Sequence, residues 1–294
     1  MVQGLRRGRL ASTLFALGLA SGVSLTAARP AAAINLFSVG QDEQIGRQAA
    51  RDAERQLPMV RDASVERYVN AIVQRLATSA PGPRFEYRAR VVNAADLNAF
   101  SLPGGFLYVN RGLIEAVRNE GELAGVLAHE MAHVAQRHGT SQVSKAYGAQ
   151  LGVGLLAGLL GGRDHRLGLA EQVVGGLGLN ALFMKFSRNA ENEADRVGAQ
   201  MMSRAGYDPM AMASFFDLLA AEQRRNPGAV SQFFSSHPAP RDRAANIRAQ
   251  SARLERGRQA QVGGLQSVQA RLDDMPAPRR QSPLRLRGAG LRGR

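Results

Sequence analysis

Leu127-Ala128-His129-Glu130-Met131-Ala132-His133-Val134-Ala135 is an H-E-x-x-H pattern set inside an apolar helical run. Residues four apart lie one turn apart on the same helix face, so the rings of His129 and His133 can reach a single metal ion. Glu130 is turned about 100° from His129 and can reach a water at that metal without ligating it. The alternative is a helix carrying two surface histidines. Met131, Ala132, Val134 and Ala135 oppose it, because the surrounding positions read as buried.

Two histidines leave a zinc ion one protein ligand short. The chain has 5 histidines, and His138, His165 and His237 are the remaining three. His138 and His165 read as surface residues, so acids come next. Glu191-Asn192-Glu193-Ala194-Asp195 falls on an expected helix over about 187–204. Glu191 and Asp195 share one face of it, and Glu193 points to the opposite side, as on a solvated acidic face. Glu191 is the expected third ligand. Asp195 then accepts the free ring N–H of a ligating histidine and fixes its tautomer. Glu171 is the rival ligand, but it has no acid four residues on.

Outward from these helices, apolar spacing predicts helices over 41–57, 62–78, 111–118, 120–138, about 208–225 and 241–258. Residues 85–93 and 106–109 read as strands, with 98–105 and 226–228 as loops. The fold class expected is α+β, mainly α, with a small sheet. The Gly-rich apolar segment 148–183 is too interrupted by Arg163, Asp164, His165 and Arg166 to span a bilayer, and reads as a buried or interfacial hairpin.

Composition closes several routes. The 294 residues include no Cys, which excludes disulfide scaffolds, thiolate metal sites and a Cys nucleophile. The net charge of +14 suggests nucleic acid until it is divided. Arg6, Arg7, Arg9 and Arg29 sit without acids in residues 1–33. Arg279, Arg280, Arg285, Arg287, Arg292 and Arg294 sit without acids in 275–294, which leaves only +4 for the middle. The first group opens an apolar stretch over 10–28, followed by Ala28 and Ala31-Ala32-Ala33, the pattern of a secretory signal peptide cleaved at Ala28 or Ala33. Residues 1–33 are therefore expected to be removed on export to the periplasm, and nucleic acid is not an expected partner. Residues 34–258 are the expected metallopeptidase domain, and 259–294 an expected basic, largely disordered tail. That tail and segment 148–183 are the places where peripheral membrane contact is expected.

Four blocks in order carry a resemblance: Asn98-Ala99-Phe100 with Pro103-Gly104-Gly105; His129-Glu130-x-x-His133; Ser187-Arg188 with Glu191-x-Glu193-Ala194-Asp195; and Ser236-His237-Pro238 with Arg243. Over about residues 38–255 the chain resembles the BepA- and HtpX-like zinc metalloendopeptidases, gluzincins related to the CAAX prenyl-protease and Oma-type peptidases. The resemblance implies a zincin-like core, one zinc ion per chain, Glu191 as third ligand and polypeptide substrates, namely misfolded or unassembled envelope proteins. It also implies outer-membrane assembly machinery as a partner, although no helical repeat domain follows residue 258 here, which puts repeat-mediated docking in doubt. An envelope holdase with a latent, self-closed zinc site is the alternative function.

Three further candidates follow from these blocks. Asn98, Gly104 and Gly105 are candidates for substrate binding: the glycines would let a backbone approach closely at a sheet edge, or would simply turn the chain into a core strand. His237 precedes Pro238, which holds it extended; its ring serves as a fourth zinc ligand, as an oxyanion donor, or only as a structural group. Arg243 either orients the acids around the metal or lies on a helix surface. Tyr207, another conceivable donor, reads as packing against Phe215 or Phe216.

Overall fold

The computed structural model describes residues 35–146, 182–183, 185–238, 242–255 and 261–280. Expectations for the signal segment 1–33, for His165 and Glu171, for nearly all of 148–183 and for the chain beyond 280 lie outside the described residues.

The described chain is mainly helical with one three-stranded sheet. Helix α1 (Val39–Gln56) opens with a capping box, Ser38 Oγ accepting from Gln41 N and Gln41 Oε1 accepting from Ser38 N. Helix α2 (Ala63–Ala77) is capped by Asp62, which accepts from Ser64 and Val65 N–H. Three strands follow, β1 (Arg88–Val92), β2 (Ala99–Leu102) and β3 (Phe106–Asn110), in the spatial order β1-β3-β2. β1 runs parallel to β3, and β2 antiparallel to it. Side chains alternate along β3 as the pleat requires. Leu107 and Val109 join the large core beneath α2, whereas Phe106 and Tyr108 join a second cluster with Ile45, Ala49 and Ala53 of α1.

After the short α3 (Arg111–Ala116), helix α4 (Glu120–Ala135) runs through the large core and is buried along nearly its whole length. A helix without a solvated face is one that other elements must surround. Helix α5 (Arg188–Arg204), capped by Ser187, packs along it, and α6 (Met210–Arg225) packs against α4 as well. The approach is close: a Cβ on Gly198 would sit 3.1 Å from the Ala128 carbonyl, one residue before His129. A 3-10 turn (Pro227–Val230), α7 (Ser231–Ser236), α8 (Arg243–Ser251) and α9 (Leu265–Asp273) complete the order.

Three expectations need correction. The loop over 98–105 contains strand β2, a four-residue element defined by its pairing with β3 rather than by its own pattern. Of the loop at 226–228, Pro227 and Gly228 already belong to the 3-10 turn that leads into α7. The tail expected from residue 259 is not uniformly irregular, because α9 buries Leu265, Val268 and Leu272 in the large core.

Candidate metal centre

Helices α4 and α5 and the chain just after α7 bring four donor side chains together. His129, His133, Glu191 and His237 are all buried, and one ligand atom from each lies within 4.8 Å of the others. The nearest separations are 3.1 Å from His129 Nε2 to His133 Nε2, 3.4 Å from His129 Nε2 to His237 Nδ1, 3.4 Å from His133 Nε2 to Glu191 Oε1, and 3.1 Å from His237 Nδ1 to Glu191 Oε1. Four ligands at zinc bond lengths have tetrahedral edges of about 3.3–3.5 Å. The cluster has the size of a zinc site.

Charge and unsatisfied atoms point the same way. Glu130, Glu191 and Asp195 are three buried carboxylates facing one buried cation, Arg243, which leaves a deficit that a divalent ion would balance. Glu130 Oε1 is buried without a hydrogen-bond partner, and Arg243 Nη1 lies 2.7 Å from Glu191 Oε2 without the alignment of a hydrogen bond. Burial pushes His133 well below the usual histidine range despite Glu191 beside it, which favours the neutral ring that a ligand needs. For Glu191 burial pulls the other way, but His237 and His133 outweigh it and the carboxyl is held far below its ordinary value.

The groups behind the ligands are equally defined. Asp195 Oδ1 lies 3.0 Å from His129 Nδ1, the position of an acceptor that leaves Nε2 for a metal. Arg243 grips Asp195 with two hydrogen bonds, Nη2 to Oδ1 at 2.7 Å and Nε to Oδ2 at 2.8 Å, and its guanidinium lies 4.0 Å over the Phe216 ring. Burial opposes the Asp195 charge, yet Arg243 and His129 keep this carboxyl below its ordinary value. The surface-helix alternative for Arg243 is thereby excluded, since Arg243 is buried.

Glu130 stands beside the donors. Its Oε2 accepts from Ser101 Oγ of β2 at 2.9 Å, and its Oε1 lies 3.4 Å from His237 Nε2. His237 thus turns one nitrogen to the donor cluster and the other to Glu130. Burial disfavours a charge on this ring, but Glu130 and Glu191 raise its pKa.

Sequence reasoning missed His138. Its Nδ1 is 2.9 Å from His133 Nδ1, and its Nε2 is 3.4 Å from Glu193 Oε2, so His138 is not a plain surface residue, whereas the Glu193 side chain stays exposed on the solvated face. On a continuous helix His138 would be turned far from His133. Instead α4 ends at Ala135, and Arg137 takes φ 56, a left-handed conformation that folds the chain back. Ion pairing of Arg137 with buried Asp42 holds that turn.

Asn98, Gly104 and Gly105 lie outside the donor cluster. Asn98 is buried and donates to Gln232 Oε1 at 3.4 Å. Gly104 and Gly105 turn β2 into β3 at φ 79 and 103, and the backbones a Cβ would strike are those of Glu43 and Glu86. The close approach they permit is therefore to the chain itself. Tyr207 is remote as well, its hydroxyl donating to Glu120 Oε1 at 2.9 Å.

Residues 63–251 match the family model described as Peptidase family M48, which covers more than half of the chain and every residue of the centre. The chain belongs to peptidase family M48. Among its M48 relatives, the beta-barrel assembly-enhancing protease of Escherichia coli (strain K12) is 31% identical over 215 residues, 72% of this chain and 44% of that protein. The mitochondrial metalloendopeptidase OMA1 of Schizosaccharomyces pombe is 30% identical over 194 residues, 66% of this chain and 55% of that protein. The metalloprotease LoiP of Escherichia coli (strain K12) is 31% identical over 180 residues, 61% of this chain and 68% of that protein. The chain thus spans less than half the length of the assembly-enhancing protease it matches. As an M48 chain it carries the resemblance expected from its four sequence blocks, with the zincin-like, mainly helical architecture that resemblance implied.

Proposed function

We propose that the chain is an exported zinc metalloendopeptidase that hydrolyses internal peptide bonds of misfolded or unassembled envelope proteins, with His237 closing the metal centre at rest. The observation that carries this reading is the buried cluster of four donors at zinc-site spacing with the Glu130 carboxylate beside it. His129, His133 and Glu191 would hold the ion, and Asp195 and Arg243 would orient them. Zinc, when bound, supplies a Lewis acid that polarises the scissile carbonyl and makes water more acidic. Glu130, held through Oε2 by Ser101, receives a proton from the attacking water on Oε1. As the water oxygen bonds to the carbonyl carbon and the C–N bond breaks, Glu130 returns that proton to the leaving amine. His237 turns Nδ1 to the donor cluster and Nε2 to Glu130 and would serve as the ion's fourth ligand at rest, so its segment would have to move before a substrate enters.

An extended substrate would add as a strand along β2, which among the described residues has β3 as its one strand neighbour and carries Ser101 beside Glu130. Export rests on the signal pattern of residues 1–33, and the periplasm and envelope substrates on that pattern together with the name of the beta-barrel assembly-enhancing relative. Among the described residues no helix is long and apolar enough to cross a membrane. Outer-membrane assembly machinery is a proposed partner, and contact with a membrane surface is proposed through 148–183 or the basic tail.

The second reading, an envelope holdase with a permanently closed site, is favoured by one observation, the place of His237 as a fourth buried donor beside His129, His133 and Glu191. Zinc analysis with casein cleavage separates the two. Mature protein should hold about one zinc, as a single site of this kind does, and cleave casein. Glu130→Gln should keep the zinc and lose cleavage by about 100-fold or more. His237→Ala should keep the zinc and raise basal cleavage. A fall of about 100- to 1000-fold would instead make His237 an oxyanion donor. Absence of cleavage in wild type and in His237→Ala alike would leave the holdase.

A further inference from the structure

Residues 261–280 lie beyond the stretch that matches the family model, yet they are tied to the metal-site framework at both ends. At the first end, the backbone N–H groups of Val262 and Gly263 donate to the Glu120 carboxylate at the start of α4, at 2.6 and 2.9 Å. The apolar face of α9 then sinks into the core, and buried Arg111 donates to the Pro276 carbonyl at 2.9 Å. This end is anchored by burial.

The second end touches the elements that carry His237. Arg279 O accepts from Ala95 N at 3.1 Å, and Arg280 Nη2 donates to Asn226 Oδ1 at 3.1 Å. The Arg280 guanidinium also fills the space above Gly228, where a Cβ would lie 2.4 Å from Nη1. Residues 94–98, held on one side by Arg279, reach the latch segment on the other. Leu97 N donates to Ala229 O at 2.8 Å, and Asn98 Nδ2 to Gln232 Oε1 at 3.4 Å. Ala229 lies in the 3-10 turn just before α7 and Gln232 within α7, whose final turn is closed by His237 N donating to Phe233 O at 2.8 Å. Phe233 also stacks on the His237 ring, with centroids 4.9 Å apart.

From this continuity we propose that residues 261–280 are an intramolecular strap that keeps the segment 226–237 closed over the metal centre. The inference rests on the reading of His237 as a latch. The two ends differ in strength in the way such a device needs. The bonds at Glu120 and Arg111 involve buried side chains, whereas the Arg280–Asn226 bond is exposed. Local opening follows the weakest contacts. The strap therefore releases at Arg280 while α9 stays docked, freeing the latch segment without unfolding α4.

The test uses the full mature chain and two substitutions that attack the contact from opposite sides. Arg280→Ala removes the guanidinium, and Gly228→Ala displaces it while leaving its charge. In both variants amide hydrogen exchange should rise across 226–237 and stay unchanged across 120–135, with zinc content unaltered. Basal casein cleavage should rise about fivefold, the population shift that one lost hydrogen bond permits. Neither substitution should add to the cleavage of a His237→Ala variant, since two changes acting through one element are not additive. Unchanged exchange at 226–237 in both variants overturns the strap. Raised exchange with unchanged cleavage, where His237→Ala does raise cleavage, overturns its control of the latch. If His237→Ala fails to raise cleavage, the latch reading itself has failed, and with it the strap's regulatory role; exchange then reports only a mechanical contact.

Discussion

Replacing Asp195 by Ala should weaken both the fold and the metal site, by amounts set by its contacts. The carboxylate receives two hydrogen bonds from Arg243, at 2.7 and 2.8 Å, and lies 3.0 Å from His129 Nδ1, all in a buried setting. Removing one partner of a buried ion pair costs about 3–5 kcal/mol, because the other charge is left without compensation. Arg243 keeps Glu191 Oε2 at 2.7 Å and the Phe216 ring, so the lower end applies. About 3 kcal/mol corresponds to a drop of roughly 6–12 °C in Tm for a domain of this size. Loss of the acceptor behind His129 should also lower zinc affinity by about 10- to 100-fold. Thermal unfolding of the metal-free protein reads the first effect, and chelator competition the second. Asp195→Asn keeps an acceptor for His129 but not the charge, and should fall between wild type and Asp195→Ala in affinity. A metal-free Tm within a degree of wild type, or unchanged affinity in Asp195→Ala, would refute the reasoning.

Glu191→Ala should abolish most zinc binding, whereas Glu193→Ala should retain it; inductively coupled plasma analysis of the dialysed proteins separates them, and the opposite ranking would remove Glu191 from the ligand set. His138→Ala should lower zinc affinity by about 10-fold, since His133 loses the group that faces its second ring nitrogen; equal affinities by chelator competition would make that contact incidental. The Arg271 guanidinium, together with the Val65 N–H, holds the Asp62 carboxyl down to about 2. A carboxyl with a depressed folded value adds stability above its unfolded value, near 3.8, and loses it as the pH falls through about 2. Urea unfolding should therefore show Arg271→Ala less stable than wild type near neutrality, with the difference shrinking below about pH 4 and vanishing only below about pH 2.

The centre was legible in the sequence where its geometry is local. His129 with His133, and Glu191 with Asp195, are each four residues apart, and helical spacing alone places each pair on one face. Their mutual approach was not local, so only the shortage of histidines and the resemblance connected them. His138 shows the limit of spacing as a guide. Its contact with His133 depends on Arg137 leaving the helical region at φ 56, and Asp42, far back in α1, holds that turn. The sequence of strand β2 reads as loop because four residues carry too little alternation, and its identity comes from β3 beside it. In α9 the apolar positions Leu265, Val268 and Leu272 do recur at helical spacing, but the Pro- and Arg-rich residues after them masked a single buried stripe.

The arrangement of charge explains why Arg243 belongs in the centre at all. Helices α4 and α5 approach closely enough that a Cβ on Gly198 would lie 3.1 Å from the Ala128 carbonyl, and Glu130, Glu191 and Asp195 are all buried where they meet. Three carboxylates there without a counterion would repel one another where water cannot screen them. A divalent ion alone would leave one negative charge over, and a second cation is needed for balance. A planar guanidinium can meet two carboxylates at once and still lie on an aromatic face. Arg243 does this, lying within 2.7 Å of both Glu191 and Asp195 and over Phe216. A Lys at this position would hold the charge at one point, and so could not brace both carboxylates of α5 against the histidines of α4.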